Sequence, residues 1–101
     1  MKTARLAPIH PGEVLLEDYL KPLGMSQNAL AKAIGVPTDR ISEIVRARRG
    51  ITGDTAVRLA HYFDTTPEFW LGLQADYEIE IARDRLEARL KKMPRHRRKA
   101  A

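Results

Sequence analysis

Arg40, Arg46, Arg48 and Arg49 fall within a ten-residue stretch whose only acid is Glu43. Guanidinium groups are rigid forks of N–H donors that suit phosphate oxygens and the O6/N7 edge of guanine. Just before and among them stand short polar residues, Thr38, Asp39 and Ser42, interleaved with Ile41, Ile44 and Val45. That pattern predicts a helix with one buried side and one polar side offered to a groove. Other chemistries find no support. No pair of carboxylates, nucleophile–base set or glycine-rich phosphate loop occurs at useful spacing, so the chain is not expected to be an enzyme. His10, His61 and His96 are scattered and cysteine is absent, so no metal site, disulfide scaffold or cofactor is expected.

A reading helix needs a scaffold, and residues 26–44 supply one. Ser26 is a good N-cap for a helix over Gln27–Ile34, with Leu30, Ala31 and Ile34 as its apolar stripe. Gly35 suits the left-handed position that ends such a helix. Pro37 suits the first turn of the next helix, predicted from Thr38 to about Ala47. Two short helices then meet at a steep angle through a three- to four-residue turn. Ala31 is small where the second helix crosses, and Val36 and Ile41 plug the corner.

The rest of the chain also reads as helices, with no alternating β-branched runs. A first helix opens at His10-Pro11 and is predicted to stop at Pro22 and Gly24. Thr52 caps a fourth helix, and Pro67 opens a fifth that can run to about Lys92. Phe69, Trp70, Leu73 and Tyr77 of that last helix are expected in the core. Its second half carries Ile79, Ala82, Leu86, Leu90 and Met93 at steps of three or four, beyond what a five-helix body covers. That stripe needs a partner surface. The expected organisation is all-α: an N-terminal segment 1–9, a DNA-binding body 10–78, a helical extension 79–93 and a basic tail 94–101.

Net charge is +5 but unevenly spread. From Arg83 onward nine Lys/Arg stand against Asp84 and Glu87, whereas residues 64–82 hold five acids and no Lys or Arg. The order is therefore basic segment, acidic segment, basic tail. No stretch approaches the roughly 18 apolar residues of a membrane span, and residues 1–8 lack a secretory core, so a cytoplasmic protein without membrane contact is expected.

The string Gln27-x-x-Leu30-Ala31-x-x-Ile34-Gly35-Val36, with Ile41 six residues after Gly35, resembles the lambda-repressor-like helix-turn-helix proteins. Four further strings, His10-Pro11-Gly12-Glu13-Val14-Leu15, Arg40-Ile41-Ser42-Glu43-Ile44, Arg49-Gly50-Ile51-Thr52 and Thr66-Pro67-Glu68-Phe69-Trp70-Leu71, resemble the HigA-type antitoxins over about residues 8–85. The resemblance implies a five-helix lambda-repressor-like DNA-binding domain that forms a homodimer and represses its own operon. It also implies a partner toxin, a small basic ribonuclease. The tail after Met93 lies outside the matching pattern.

Position assigns the remaining roles. Gln27 is expected on a phosphate, with Thr38, Asp39, Ser42 and Glu43 on the face turned to the groove. Asp39 either accepts from a cytosine amino group or repels phosphate at wrong sites. Arg40 is expected on guanine or a flanking phosphate, unless it pairs with Glu43 or Glu17. Arg46, Arg48, Arg49 and Thr52 are expected on the DNA backbone. Ile79, Ala82, Leu86 and Leu90 form the expected dimer seam, and two reading helices would meet a palindromic operator about one helical turn, roughly 34–36 Å, apart. Asp76, Glu78 and Glu80 are the candidate toxin contact; the alternative is that they pair internally with Arg83, Arg85 and the tail. Two other functions stay open: a solitary transcriptional regulator without a toxin, and a protein-interaction module that binds no DNA.

Overall fold

The computed structural model describes residues 7–96 and has five helices and no strand among them. The first, α1, covers residues 11–23 in three stretches: α-helical Pro11–Val14, π-helical Leu15–Leu20 and α-helical Lys21–Leu23. It does not stop at Pro22. A proline cannot donate to the carbonyl four residues back, and its ring collides with that carbonyl in a regular α-helix. The wide turn before it, with the Lys21 N–H reaching Leu16, carries the helix past the proline to Gly24, whose φ of 61° ends it.

The next two helices are α2, Gln27–Ile34, and α3, Thr38–Val45. Ser26 caps α2 by accepting from the Ala29 N–H at 3.0 Å, and Gly35 closes it at φ 76°. Pro37 is extended and caps α3 from outside instead of sitting in its first turn. Helix α3 ends at Val45, two residues before the expected Ala47, because Ala47 itself turns left-handed at φ 61°. Helices α4, Gly53–Phe63, and α5, Pro67–Lys92, are capped by Thr52 and Thr66.

The core draws one stripe from each helix: Leu15 and Leu20, Leu30, Ala31 and Ile34, Ile41 and Ile44, Ala56, Leu59 and Ala60, and Trp70, with Ile51 from the loop. Trp70 is fully buried against Tyr19 and Phe63 and donates to Thr65 Oγ1 at 2.8 Å, which satisfies its indole N–H. Leu73 packs on this core, Tyr77 lies edge-on to His10, and Phe69 keeps 39% of its surface exposed while touching the Tyr19 and Trp70 rings.

His10 caps the start of α1. Its Nδ1 accepts from the Gly12 N–H at 2.9 Å, which requires that nitrogen to be unprotonated. Burial pushes its pKa below the ordinary value. The neutral ring therefore stabilises the fold above the unfolded-state value of about 6.5. That contribution is lost as pH falls from there through the lowered folded-state value. Thermal melts across that window should show an acid limb that is shallower in His10→Asn, whose amide caps without titrating. An unchanged limb would assign the effect to other groups.

Candidate nucleic-acid interface

Helices α2 and α3 pack against each other across a short turn, and Ile41 and Ile44 anchor α3 on the core. This leaves the opposite side of α3 outward. Thr38 and Asp39 are exposed, and Ser42 and Glu43 half-exposed. The Thr38 hydroxyl donates to Asn28 Oδ1 at 2.7 Å, which ties the start of α3 to α2. The Ser42 hydroxyl points along its own helix to the Asp39 carbonyl at 3.3 Å. Asp39 stands in the first turn of α3, where the helix dipole favours an anion. Gln27 opens α2, half-buried.

The arginines divide into two kinds. Arg40 is only 29% exposed, and its Nη1 lies 3.3 Å from Asp54 Oδ1 at the start of α4; neither Glu43 nor Glu17 holds it. Glu43 instead binds Arg49, with Nε and Nη2 both at 2.9 Å. Arg46 and Arg48 project exposed from the loop after α3, with no ion pair among the described residues. Thr52, close behind, uses its hydroxyl to cap α4 at the Thr55 N–H, 3.5 Å away.

Three residues that set this geometry, Arg58, Asp54 and Gln74, were not among the expected ones. Arg58 on α4 donates through Nη1 to the Ile34 carbonyl at 2.7 Å and the Gly35 carbonyl at 3.3 Å, while its Nε holds Asp54 at 2.7 Å. It closes the last turn of α2 with a cation where helix carbonyls are left over. Asp54 then joins this clamp to Arg40 on α3. Gln74 on α5 is buried and accepts from the Ile51 N–H at 2.8 Å through Oε1, fixing the end of the arginine loop, and donates to Glu78 at 2.8 Å. A signal for Gln74 existed: it sits one turn after Trp70 and one before Tyr77, a polar residue on an apolar stripe.

Along α5, Ile79, Leu86 and Leu90 are exposed at 47%, 37% and 47%, and Ala82 is partly so. Asp76 and Glu80 lie one turn apart on the helix. Glu78, two residues from each, falls on another side, bound to Gln74. The three acids therefore do not make one surface. Residues 97–101 of the expected basic tail lie outside the described residues, as do residues 1–6 of the N-terminal segment.

A short helix pair with a plugged corner, a polar outward helix and an arginine-bearing loop behind it defines a helix-turn-helix protein, the architecture that sets one helix in a major groove. The helix-turn-helix family model matches residues 16–70, and the chain belongs to that family, in the branch of the HigA-type antitoxins. The chain is 44% identical to an addiction module antidote protein of a HigA family from Coxiella burnetii, with a TM-score of 0.85 over 91% of this chain and all of that one. It is 39% identical to Pseudomonas aeruginosa antitoxin HigA, solved with the higBA promoter, with a TM-score of 0.84 over 87% of this chain and 96% of that one. Virulence-associated protein I of Dichelobacter nodosus is 55% identical over 73% of this chain and 68% of its own length. No helix among the described residues is long and apolar enough to cross a membrane.

Proposed function

We propose that this chain is a cytoplasmic, non-enzymatic antitoxin that binds a palindromic operator as a homodimer, represses its own promoter and neutralises a small basic ribonuclease. The observation that carries the reading is the outward polar face of α3 backed by exposed Arg46 and Arg48, on a fold shared with an antitoxin solved with its promoter. In this reading Thr38, Asp39, Ser42 and Glu43 face base edges, and Arg40 reads guanine from its Asp54 tether. Gln27, Arg46, Arg48, Arg49 and Thr52 hold phosphates. Residues 10–78 form the DNA-binding body and residues 79–93 the dimer seam.

Phosphate contacts release counterions, so the logarithm of affinity falls with the logarithm of salt by about 0.9 per phosphate on duplex DNA. Arg48→Ala should weaken binding alike on operator and random duplex, and should lower the salt slope by about 1 for each phosphate that Arg48 neutralises. A weakening confined to one operator base pair would move Arg48 to the base-reading set instead.

The toxin arm rests on family membership and on the acids of α5. Reversing Asp76 and Glu80, which share one side of α5, to lysine should weaken capture of a basic partner encoded beside this chain at least tenfold, because complementary charge steers association. Unchanged affinity would remove these residues from the contact. Co-expression with the product of a neighbouring short reading frame, followed by a growth assay, separates an antitoxin from a solitary repressor.

A further inference from the structure

Arg40 differs from Arg46, Arg48 and Arg49 in where its charge is held. Those three lie exposed in the loop after α3, and the one acid among them, Glu43, comes from the same stretch of chain. Arg40 stands in the first turn of α3 itself, and its partner carboxylate belongs to another helix. That carboxylate is fixed. Asp54 lies two residues after the Thr52 cap, in the first turn of α4, where the helix dipole favours an anion. Its Oδ1 also accepts from Arg58 Nε at 2.7 Å, and Arg58 Nη1 is bound in turn to the Ile34 and Gly35 carbonyls. One carboxylate oxygen thus joins the end of α2 to the starts of α3 and α4. Exposed ion pairs add little to stability. What this one adds is direction. It engages Arg40 through Nη1, which leaves the Nε–Nη2 edge of the guanidinium, with its two parallel N–H donors, for a bidentate contact.

We propose that Asp54 is a specificity-determining residue: it directs Arg40 toward a base edge and withholds it from phosphates. The proposal rests on the DNA-reading role given to Arg40 above and adds the positioning residue that discriminates between sequences. A guanidinium on a loose stem finds a phosphate on any duplex. One restrained through Nη1 pairs only where two acceptors stand in the right place, as O6 and N7 of guanine do. The carboxylate acts in the same sense a second time, because its side chain is 60% exposed and repels the phosphates that would draw Arg40 away. Ordering Arg40 before DNA arrives also spares the operator complex the cost of immobilising a rotamer-rich side chain. Asp54 therefore affects the two kinds of DNA with opposite signs, strengthening binding to the operator and weakening binding to random duplex.

Asp54→Asn keeps the shape and an oxygen for Arg58, but removes the charge that holds Arg40. The full chain and the variant are titrated onto the DNA upstream of the reading frame and onto random duplex, between about 50 and 200 mM salt. The variant should bind the upstream DNA about three- to tenfold more weakly, the cost of ordering one long side chain. It should bind random duplex at least about threefold more tightly, with a salt slope steeper by about 0.9, one added phosphate. In an Arg40→Ala background the same change should move either affinity by no more than about twofold, since the coupling has lost its second member. Asp54→Ser is a second uncharged variant, and thermal melts confirm that folded proteins are being compared. Equal weakening on both DNAs would make Asp54 a structural residue and overturn the proposal, as would unchanged affinities. A tightening on random duplex that persists without Arg40 also overturns it, because the carboxylate then acts by its field alone. A parent chain that binds both DNAs equally defeats the proposed function instead, and the random-duplex titrations still decide whether Asp54 restrains Arg40.

Discussion

Gly12→Ala is expected to lower stability by about 3 kcal/mol, at the upper end of what overpacking a core costs. Gly12 is buried where the start of α1 meets the end of α3. A methyl group there would overlap the Ile44 carbonyl oxygen, and would stand 2.6 Å from the Ile44 carbonyl carbon and 3.0 Å from the Val45 Cα. These are backbone atoms, so no side chain can swing away; α1 and α3 must separate. Because α3 carries the polar outward face, the shift would disturb operator binding as well as folding. For a domain of this size, such a change lowers the melting temperature by about 12 °C or more. Gly53→Ala is the matched control, since a methyl there meets nothing and φ is not in the left-handed region. Its melt should stay near that of the parent. A Gly12→Ala protein melting within a few degrees of the parent would mean that α1 can move off α3 cheaply.

Leu86→Glu is expected to convert the dimer to monomer at micromolar concentration and to weaken operator binding about 100-fold or more. The side chain lies mid-stripe on α5 and is 37% exposed in the single chain, beyond the core residues. A carboxylate there costs the monomer little but would be buried and unpaired in the dimer. Losing the second reading helix removes the gain from two linked contacts, which runs to a factor of about 10²–10⁴. Sedimentation and operator titration measure the two effects on one sample, and circular dichroism should show an unchanged fold. A dimer that persists places the seam elsewhere.

The helices were legible where their signals are local. Ser26, Thr52 and Thr66 each bond the N–H three residues on, so a cap can be read from a short string. Gly35 and the limits of α5 followed in the same way. Pro22 misled because a proline normally ends a helix, and the sequence carries no sign of the wide turn that takes α1 past it. Ala47 misled because its left-handed turn is imposed by the path of the loop, not by its own preference. In the site, the candidate face of α3 was legible from alternating polar and apolar positions. The bonds that pose it were not, because they join residues distant in sequence. Arg58 reaches Ile34 across 24 positions, Gln74 reaches Ile51 across 23, and Arg40 finds Asp54 across 14. Any exposed acid would have seemed as good a partner for Arg40 before the helices were placed. Gly12 left no signal beyond its string, since its role is the space it leaves for another helix.

In the proposed function this chain reads its own promoter. The most direct measurement is a titration of the purified chain onto the DNA immediately upstream of its reading frame, against random duplex, between about 50 and 200 mM salt, with footprinting of the bound species. Preference for the upstream DNA by a factor of about 10³ or more is expected, with a steep fall with salt and two protected half-sites about one helical turn apart. Equal binding to both DNAs, or binding to neither, would contradict it.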